Sequence, residues 1–260
     1  MSAPELHRGG CHCGAVAFAA TGPLRPVIVC HCQQCRAWSG HVWAATSVPL
    51  DRFRLTRDAG LAWVRASAAA RRGFCRDCGA RLFWQPEAEP RISIAAGAFD
   101  GPTGLAVAAQ WYCDEAGDYY APEGPPPPAA PAQGRTEGRC LCGACRFSLP
   151  TPVGAVTACH CHQCRKLSGH YAASVDAEEV ALAWQSAAAL RTYRTPGGAT
   201  RGFCGACGSG LWFRSAEGEF AVEAGCLAAP TGGRLAGHIF TAFKGDYYRL
   251  DDGLPQSPGA

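Results

Sequence analysis

A chain of 260 residues with a formal charge of +3 and no run of basic side chains carries no electrostatic footprint for nucleic acid. No 18-residue apolar stretch marks a transmembrane helix, and Met1 to Gly10 lacks the apolar core of a secretory signal. A reducing, cytoplasmic setting is therefore expected, where the default fate of the 17 cysteines is metal or free thiol, not disulfide.

In chain order the first signal is Cys11-x-Cys13, followed by a run of small and apolar residues, Ala15 to Ala19, that reads as a strand. Cys30-x-Cys32-x-x-Cys35 comes next, and the segment after Cys35 suits one short helical turn. Cys75-x-x-Cys78 precedes a short aromatic run, Arg81 to Trp84, and Ile92 and Ile94 sit at the period-two spacing of a strand. Gly117-Asp118-Tyr119-Tyr120 ends this first unit. Residues Ala121 to Arg135 include Pro125, Pro126, Pro127, Pro128 and Pro131, a composition that favours an extended polyproline II linker.

The whole pattern then restarts. Cys140, Cys142, Cys159, Cys161, Cys164, Cys204 and Cys207 repeat the first seven cysteines at an offset of 129. Gly14, Phe18, His31, Gln34, Arg36, Ser39, Gly40, His41, Arg72, Gly73 and Phe74 all recur at the same offset. One residue is lost near Glu217 to Glu219, as in a variable hairpin turn, and the offset becomes 128 through Gly245-Asp246-Tyr247-Tyr248. Cys145 to Leu149, Leu211 to Phe213, and Phe220 with Val222 repeat the strand signals. The expected organisation is residues 1–121, a linker 122–135, and residues 136–260. The expected fold is mostly β, two tandem zinc-binding domains of short, coiled sheets stapled by metal.

Seven thiolates per repeat do not divide into two closed tetrahedral sites. Four plus three is the natural partition. Cys11, Cys13, Cys75 and Cys78, and likewise Cys140, Cys142, Cys204 and Cys207, have the form of a closed structural zinc. Cys30, Cys32 and Cys35, and Cys159, Cys161 and Cys164, have the form of a catalytic zinc that keeps one position for exchange. Two zinc ions per domain, four per chain, are expected. His41 and His170, six residues after the last cysteine of each triad, are the candidates for closing that position instead; an empty or metal-shared triad is a third arrangement. His31 and His160, between ligands, are expected to point away, and His162 occurs only in the second copy. Three thiolates leave the complex near −1, which suits holding a soft thiol better than generating hydroxide. Cys113, Cys145 and Cys226 have no counterparts and read as buried structural thiols. Trp63, Trp84, Trp111 and Trp184 read as core. Ser39 and Ser168 read as turn caps, with donation to an aldehyde oxygen as the other role.

The combination G-x-C-x-C-G-A-V-x-F, C-H-C-x-x-C-R, S-G, F-C-x-x-C-G and the closing G-D-Y-Y resembles the glutathione-dependent formaldehyde-activating enzyme family, which includes centromere protein V. The resemblance covers nearly all of both copies. It implies a beta-tent fold, one structural and one catalytic zinc per domain, and a carbon–sulfur lyase joining a thiol such as glutathione to an aldehyde such as formaldehyde. Arg36 and Arg165 then become candidates for pairing a substrate carboxylate, against an ordinary surface salt bridge. The second copy carries His238-Ile239-Phe240, as family members commonly do, whereas the first has Gln110-Trp111-Tyr112. The other readings are a zinc-stapled binding module without catalysis, or action on another small electrophile. The expected assembly is a monomer with an internal pseudo-dimer, or a homodimer.

Overall fold

The computed structural model describes residues 5–260; the first four residues of the N-terminal stretch read above lie outside the described residues. The first repeat runs β1 (Leu6–Gly10), β2 (Ala17–Thr21), β3 (Val27–Cys30), α1 (Gln33–Ser39), β4 (Trp43–Pro49), β5 (Phe53–Arg57), β6 (Leu61–Ser67), β7 (Ala70–Cys75), β8 (Arg81–Pro86), β9 (Arg91–Ala95) and β10 (Val107–Trp111). The second runs β11 (Arg135–Arg139), β12 (Arg146–Pro150), β13 (Gly154–Cys159), α2 (His162–Ser168), β14 (Ala172–Asp176), β15 (Ala183–Ser186), β16 (Leu190–Arg194), β17 (Thr200–Cys204), β18 (Gly210–Arg214), β19 (Phe220–Glu223) and β20 (Gly233–Ile239).

Each repeat folds into a three-stranded and a seven-stranded sheet of the same order. The large sheets read β10-β3-β4-β9-β8-β7-β6 and β20-β13-β14-β19-β18-β17-β16, and the small ones β1-β2-β5 and β11-β12-β15. The pairs β3–β10 and β13–β20 are parallel, and the remaining pairs are antiparallel. The fold is mostly β in two similar tandem halves, as expected.

The period-two signals fall where they were read. Ile92 and Ile94 lie buried in β9, and Phe220 and Val222 in β19. The lost residue falls in the turn between β18 and β19. The strand expected at Ala15 starts only at Ala17. Residues 11–16 turn tightly instead, with Cys11 N–H donating to the Val16 carbonyl at 2.9 Å and Gly14 N–H to the Cys11 carbonyl at 3.3 Å. The helical turns also begin earlier than expected, ahead of the third cysteine of each triad. Cys32 and Cys161 cap α1 and α2, each sulfur accepting from the backbone N–H three residues on. The tryptophan reading needs correction. Trp111 is 50% exposed, at the end of a sheet-edge strand, and the fully buried tryptophan is Trp38 on α1.

The two repeats pack reciprocally. Thr103 N–H donates to Asp246 at 2.7 Å and Thr231 N–H to Asp118 at 2.7 Å. Val107 N–H donates to the Tyr247 carbonyl at 3.0 Å and Leu235 N–H to the Tyr119 carbonyl at 2.7 Å. Gly97 N–H reaches the Gly169 carbonyl at 2.8 Å and Gly225 N–H the Gly40 carbonyl at 2.7 Å. Residue i meeting j′ while i′ meets j is the signature of an isologous interface, here inside one chain. Gly40 and Gly169 end the helices at φ +90°, the left-handed cap that glycine adopts without strain. A Cβ on Gly97 or Gly225 would stand 2.5 to 2.6 Å from the opposing backbone, so the Ser-Gly-His turns sit directly on the seam. Residues of the linker are pinned to the second half, with Arg234 donating to the carbonyls of Pro127 at 3.1 Å and Pro126 at 3.4 Å.

Candidate metal centres

Each four-cysteine set is assembled from two turns. Cys11 and Cys13 come from the loop after β1, Cys75 from the end of β7 and Cys78 from the turn between β7 and β8. All four sulfurs lie within 4.8 Å of one another, as do those of Cys140, Cys142, Cys204 and Cys207. Neighbouring sulfurs are 3.5 Å (Cys11–Cys13), 3.6 Å (Cys13–Cys75), 3.6 Å (Cys140–Cys142) and 3.8 Å (Cys142–Cys204) apart. A tetrahedral zinc with Zn–S of about 2.3 Å requires sulfurs roughly 3.8 Å apart. The sets therefore fit zinc without rearrangement. No cysteine of the chain is in a disulfide.

The triads are built from one continuous stretch each: the end of β3 or β13, the helix cap, and the first turn of α1 or α2. Their sulfurs also lie within 4.8 Å, and no fourth His, Cys, Asp or Glu ligand atom joins either triad among the described residues. The first two cysteines of each are half-buried and the third is buried. Hydrogen bonds from Cys30 and then Cys35 pull the Cys32 thiol down to about 2, while Cys32 and then Cys35 push Cys30 up. Cys161 is pulled down to about 2 by Cys159 and then Cys164. Three sulfurs this close share one negative charge unless a cation is added, which is the electrostatic setting of a metal cradle.

An arginine backs each triad. Arg72, on β7, approaches Cys35 Sγ with Nη2 at 3.6 Å, and Arg201, on β17, donates to Cys164 Sγ at 3.2 Å. Both arginines were visible in the sequence as a matched pair, yet neither was assigned a role there. Their counterpart sulfurs lie 37 residues away, brought close by the sheet. Their surroundings differ. The Arg72 guanidinium stacks on the Trp38 ring at 4.9 Å. Arg201 stacks on Phe213 at 4.2 Å and stands 3.8 Å from the Glu223 carboxylate. Burial pushes Glu223 up to about 7, and Arg201 and Arg81 only partly offset it. Arg81 itself is buried, donating within its own half to the carbonyls of Ser39 at 2.8 Å and Gly79 at 3.0 Å, with its guanidinium lying against Gly210 of the second repeat.

His41 and His170 do not close the triads, which corrects that alternative. The glycine cap between each helix and its histidine turns the chain away, and both imidazoles enter the seam. His41 Nδ1 meets Tyr119 Oη at 2.7 Å, and His170 Nδ1 meets Tyr247 Oη at 2.8 Å. Burial holds both well below the usual imidazole range, so they are neutral at pH 7. His31 and His160 point away from the sulfurs as expected. His31 bonds Tyr120 Oη at 2.9 Å and Gln110 Oε1 at 2.6 Å. His160 bonds Tyr248 Oη at 2.7 Å and His238 at 3.0 Å, and His238 bonds Asp252 at 2.8 Å. The two Tyr-Tyr pairs thus serve four histidines, a role their recurrence in G-D-Y-Y hinted at.

Arg36 donates its Nε to the carbonyls of His31 at 3.2 Å and Glu115 at 3.0 Å, so it staples a loop. Arg165 has no partner for its Nε, and its Nη2 stands 3.4 Å from His162. Ser39 Oγ bonds the Cys35 carbonyl at 2.9 Å, and His170 N–H donates to Ser168 Oγ at 3.2 Å, both within the cap. Cys145 and Cys226 are buried as expected, but Cys113 is exposed, in the turn after β10. Cys145 stands beside the second four-cysteine set, its N–H donating to Cys140 Sγ at 3.2 Å.

A solved structure of a Rhodobacter sphaeroides protein is 27% identical to this chain, covering 40% of this chain and 98% of its own, with a TM-score of 0.34. The family described as glutathione-dependent formaldehyde-activating enzyme matches residues 6–115 and again residues 135–242. With two matches that together span most of its length, the chain belongs to that family as a tandem member.

Proposed function

We propose that the chain is a zinc-dependent carbon–sulfur lyase acting on thiol–aldehyde adducts, of the S-(hydroxymethyl)glutathione synthase kind, with one catalytic centre at each triad. The carrying observation is the contrast between four sulfurs in one cluster and three in the other, repeated in both halves. Zinc, when bound, supplies the positive charge that keeps a soft thiol ionised near pH 7, where a free thiol with pKa about 8.5 is a few per cent thiolate.

The chain's own residues set the rest. Cys30, Cys32 and Cys35, with Cys159, Cys161 and Cys164, fix the metal from one side, leaving half-buried sulfurs toward solvent and substrate. Arg72 and Arg201 offset the excess negative charge of three thiolates. Arg165, whose guanidinium is not tied to loop carbonyls as that of Arg36 is, is the better candidate of the arginine pair for a substrate carboxylate. In the forward direction the thiol sulfur forms a bond to the aldehyde carbon. The carbonyl π pair moves to oxygen, which takes up the proton that the thiol lost; the reverse breaks the C–S bond. The two domains are residues 1–121 and 136–260 of a cytoplasmic protein, and together they form an internal pseudo-dimer.

Metal analysis should return about four zinc ions per chain, two of them stripped faster by chelator. The double variant Cys32→Ser, Cys161→Ser should lose turnover of glutathione and formaldehyde by more than about 1,000-fold while melting as the parent does. Unfolding of that double variant, or a cobalt-substituted spectrum blind to added thiol, would contradict the catalytic reading and favour a stapled binding module.

A further inference from the structure

A cleft of about 470 Å³ opens on the seam, lined by residues of both repeats and by no metal-binding cysteine. That volume is in the range of small-molecule sites. Its existence follows from one break in the internal symmetry. The second repeat carries Tyr171 where the first carries Val42. Tyr171 fills its side: its hydroxyl stands 3.3 Å from His41 Nε2, and its ring packs 4.5 Å from His160 and 5.6 Å from Tyr248. On the related side Val42 has neither hydroxyl nor ring, and the space remains.

The same break leaves one ring nitrogen of a largely buried histidine facing the cleft without a mate. His170 matches His41 in its bond to a tyrosine through Nδ1. Its Nε2, unlike that of His41, has no hydrogen-bond partner among the described residues, although His170 is 3% exposed and lines the cleft. Buried ring nitrogens are ordinarily satisfied. An unpaired imidazole nitrogen among mixed polar and apolar walls is a recognition element of the kind ligand sites use.

The mouth carries two further cues. Arg249 and Asp251 line it, both exposed, and neither makes an ion pair among the described residues. The third charged lining residue, Asp246, is already engaged by the N–H groups of Thr103 and Gly104 at 2.7 Å. The walls combine Val29, Val42, Leu105 and Val107 with the rings of Tyr120 and Tyr171 and the hydrogen-bonded pair His31 and Gln110.

We propose that this seam cleft, which no cysteine lines, is a binding site for a small amino-acid zwitterion with an apolar or aromatic side chain. Its carboxylate faces Arg249, its ammonium faces Asp251, and the tip of its side chain meets Nε2 of His170. Val42→Tyr restores the missing ring and hydroxyl, and Tyr171 at the related position shows that the fold accommodates them.

The test is calorimetric titration of the zinc-loaded full chain with L-tyrosine up to 2 mM. Binding with a dissociation constant on the order of 1 mM or tighter is expected. Val42→Tyr should abolish it, and Arg249→Gln, on the surface, should weaken it about fivefold. Both variants should keep the parent's zinc content and melting. Tyramine and 3-(4-hydroxyphenyl)propionate, each lacking one charge, should bind at least fivefold more weakly. No binding of L-tyrosine at 2 mM overturns the proposal. So does binding that Val42→Tyr leaves intact, which would put the ligand elsewhere.

Discussion

The two triads have the same three cysteines on the same strand-to-helix turn, yet they stand in different surroundings. Behind the first, Arg72 faces one sulfur and rests on Trp38. Behind the second, Leu167 replaces that tryptophan, and Arg201 is divided between Cys164 and the buried carboxylate of Glu223. The first repeat has Ala95 where Glu223 stands, and the second has Gly210 where Arg81 stands. The halves have thus exchanged an alanine and a glycine for a carboxylate and a guanidinium, each buried at the seam. Ligand geometry is common to both copies, whereas the field around the ligands belongs to each copy separately. Two centres with identical ligands can therefore differ in metal affinity and in the charge felt by a bound thiol.

The largest expected effect that separates them comes from removing the arginines. Arg201→Gln leaves Glu223 buried beside Cys164 without its nearest cation. It should destabilise the chain by about 3 kcal/mol, the scale of breaking a buried pair. Arg72→Gln leaves no carboxylate stranded and loses mainly its stacking on Trp38, about 1 kcal/mol. Each should lower turnover at its own triad about tenfold, read in a background where the other triad carries its Cys→Ser change. Equal stability losses in thermal melts would erase the asymmetry argued here.

A smaller separation should appear with pH. Burial raises Glu223 to about 7 from an ordinary 4.5. Between those values the folded chain holds a proton that the unfolded chain has released. Stability from this group is therefore full below pH 4.5 and declines as pH rises through 7. The decline amounts to about 3 kcal/mol if the whole shift is expressed. Glu223→Gln lacks this decline. Its stability relative to the parent should improve by up to that amount between pH 4.5 and 7, and a constant difference in denaturant titrations would show that Glu223 does not titrate there.

How much of this was legible beforehand follows from where the information sits. The four cysteine clusters could be read because their spacing is local, and the offset of 129 doubled every observation. The strands at Ile92–Ile94 and Phe220–Val222 could be read because alternation is a property of a single strand. Arg72 and Arg201 were not assigned because their sulfurs lie across the sheet, and only pairing order brings them there. His41 and His170 were within ligand reach by residue count. The left-handed Gly40 and Gly169 caps redirected them to Tyr119 and Tyr247. Trp111 and Cys113 were expected to be buried from composition alone, but a sheet edge and the turn after it leave them exposed.

The smallest effect tests the symmetry itself. Thr103 and Thr231 occupy related positions, and each hydroxyl reaches across to the related aspartate, at 3.2 Å to Asp246 and 2.9 Å to Asp118. Replacing either threonine by valine removes the hydroxyl's bond to the carboxylate and its acceptance from the N–H of Leu105 or Gly233, and keeps the backbone N–H contact to the same carboxylate. The expected loss is about 1 to 2 kcal/mol for each, similar for the two variants. If the halves were independently folded units, breaking a contact between them would leave the melting temperature of each unchanged. A fall of a few degrees in a single cooperative transition, the same for Thr103→Val and Thr231→Val, would instead show that the seam is part of the folding unit. That result would fit the placement of Arg81 and Glu223 at the seam: Arg81 is hydrogen-bonded within its own half and Glu223 stands nearest Arg201 of its own, while the two opposite charges also attract across the seam.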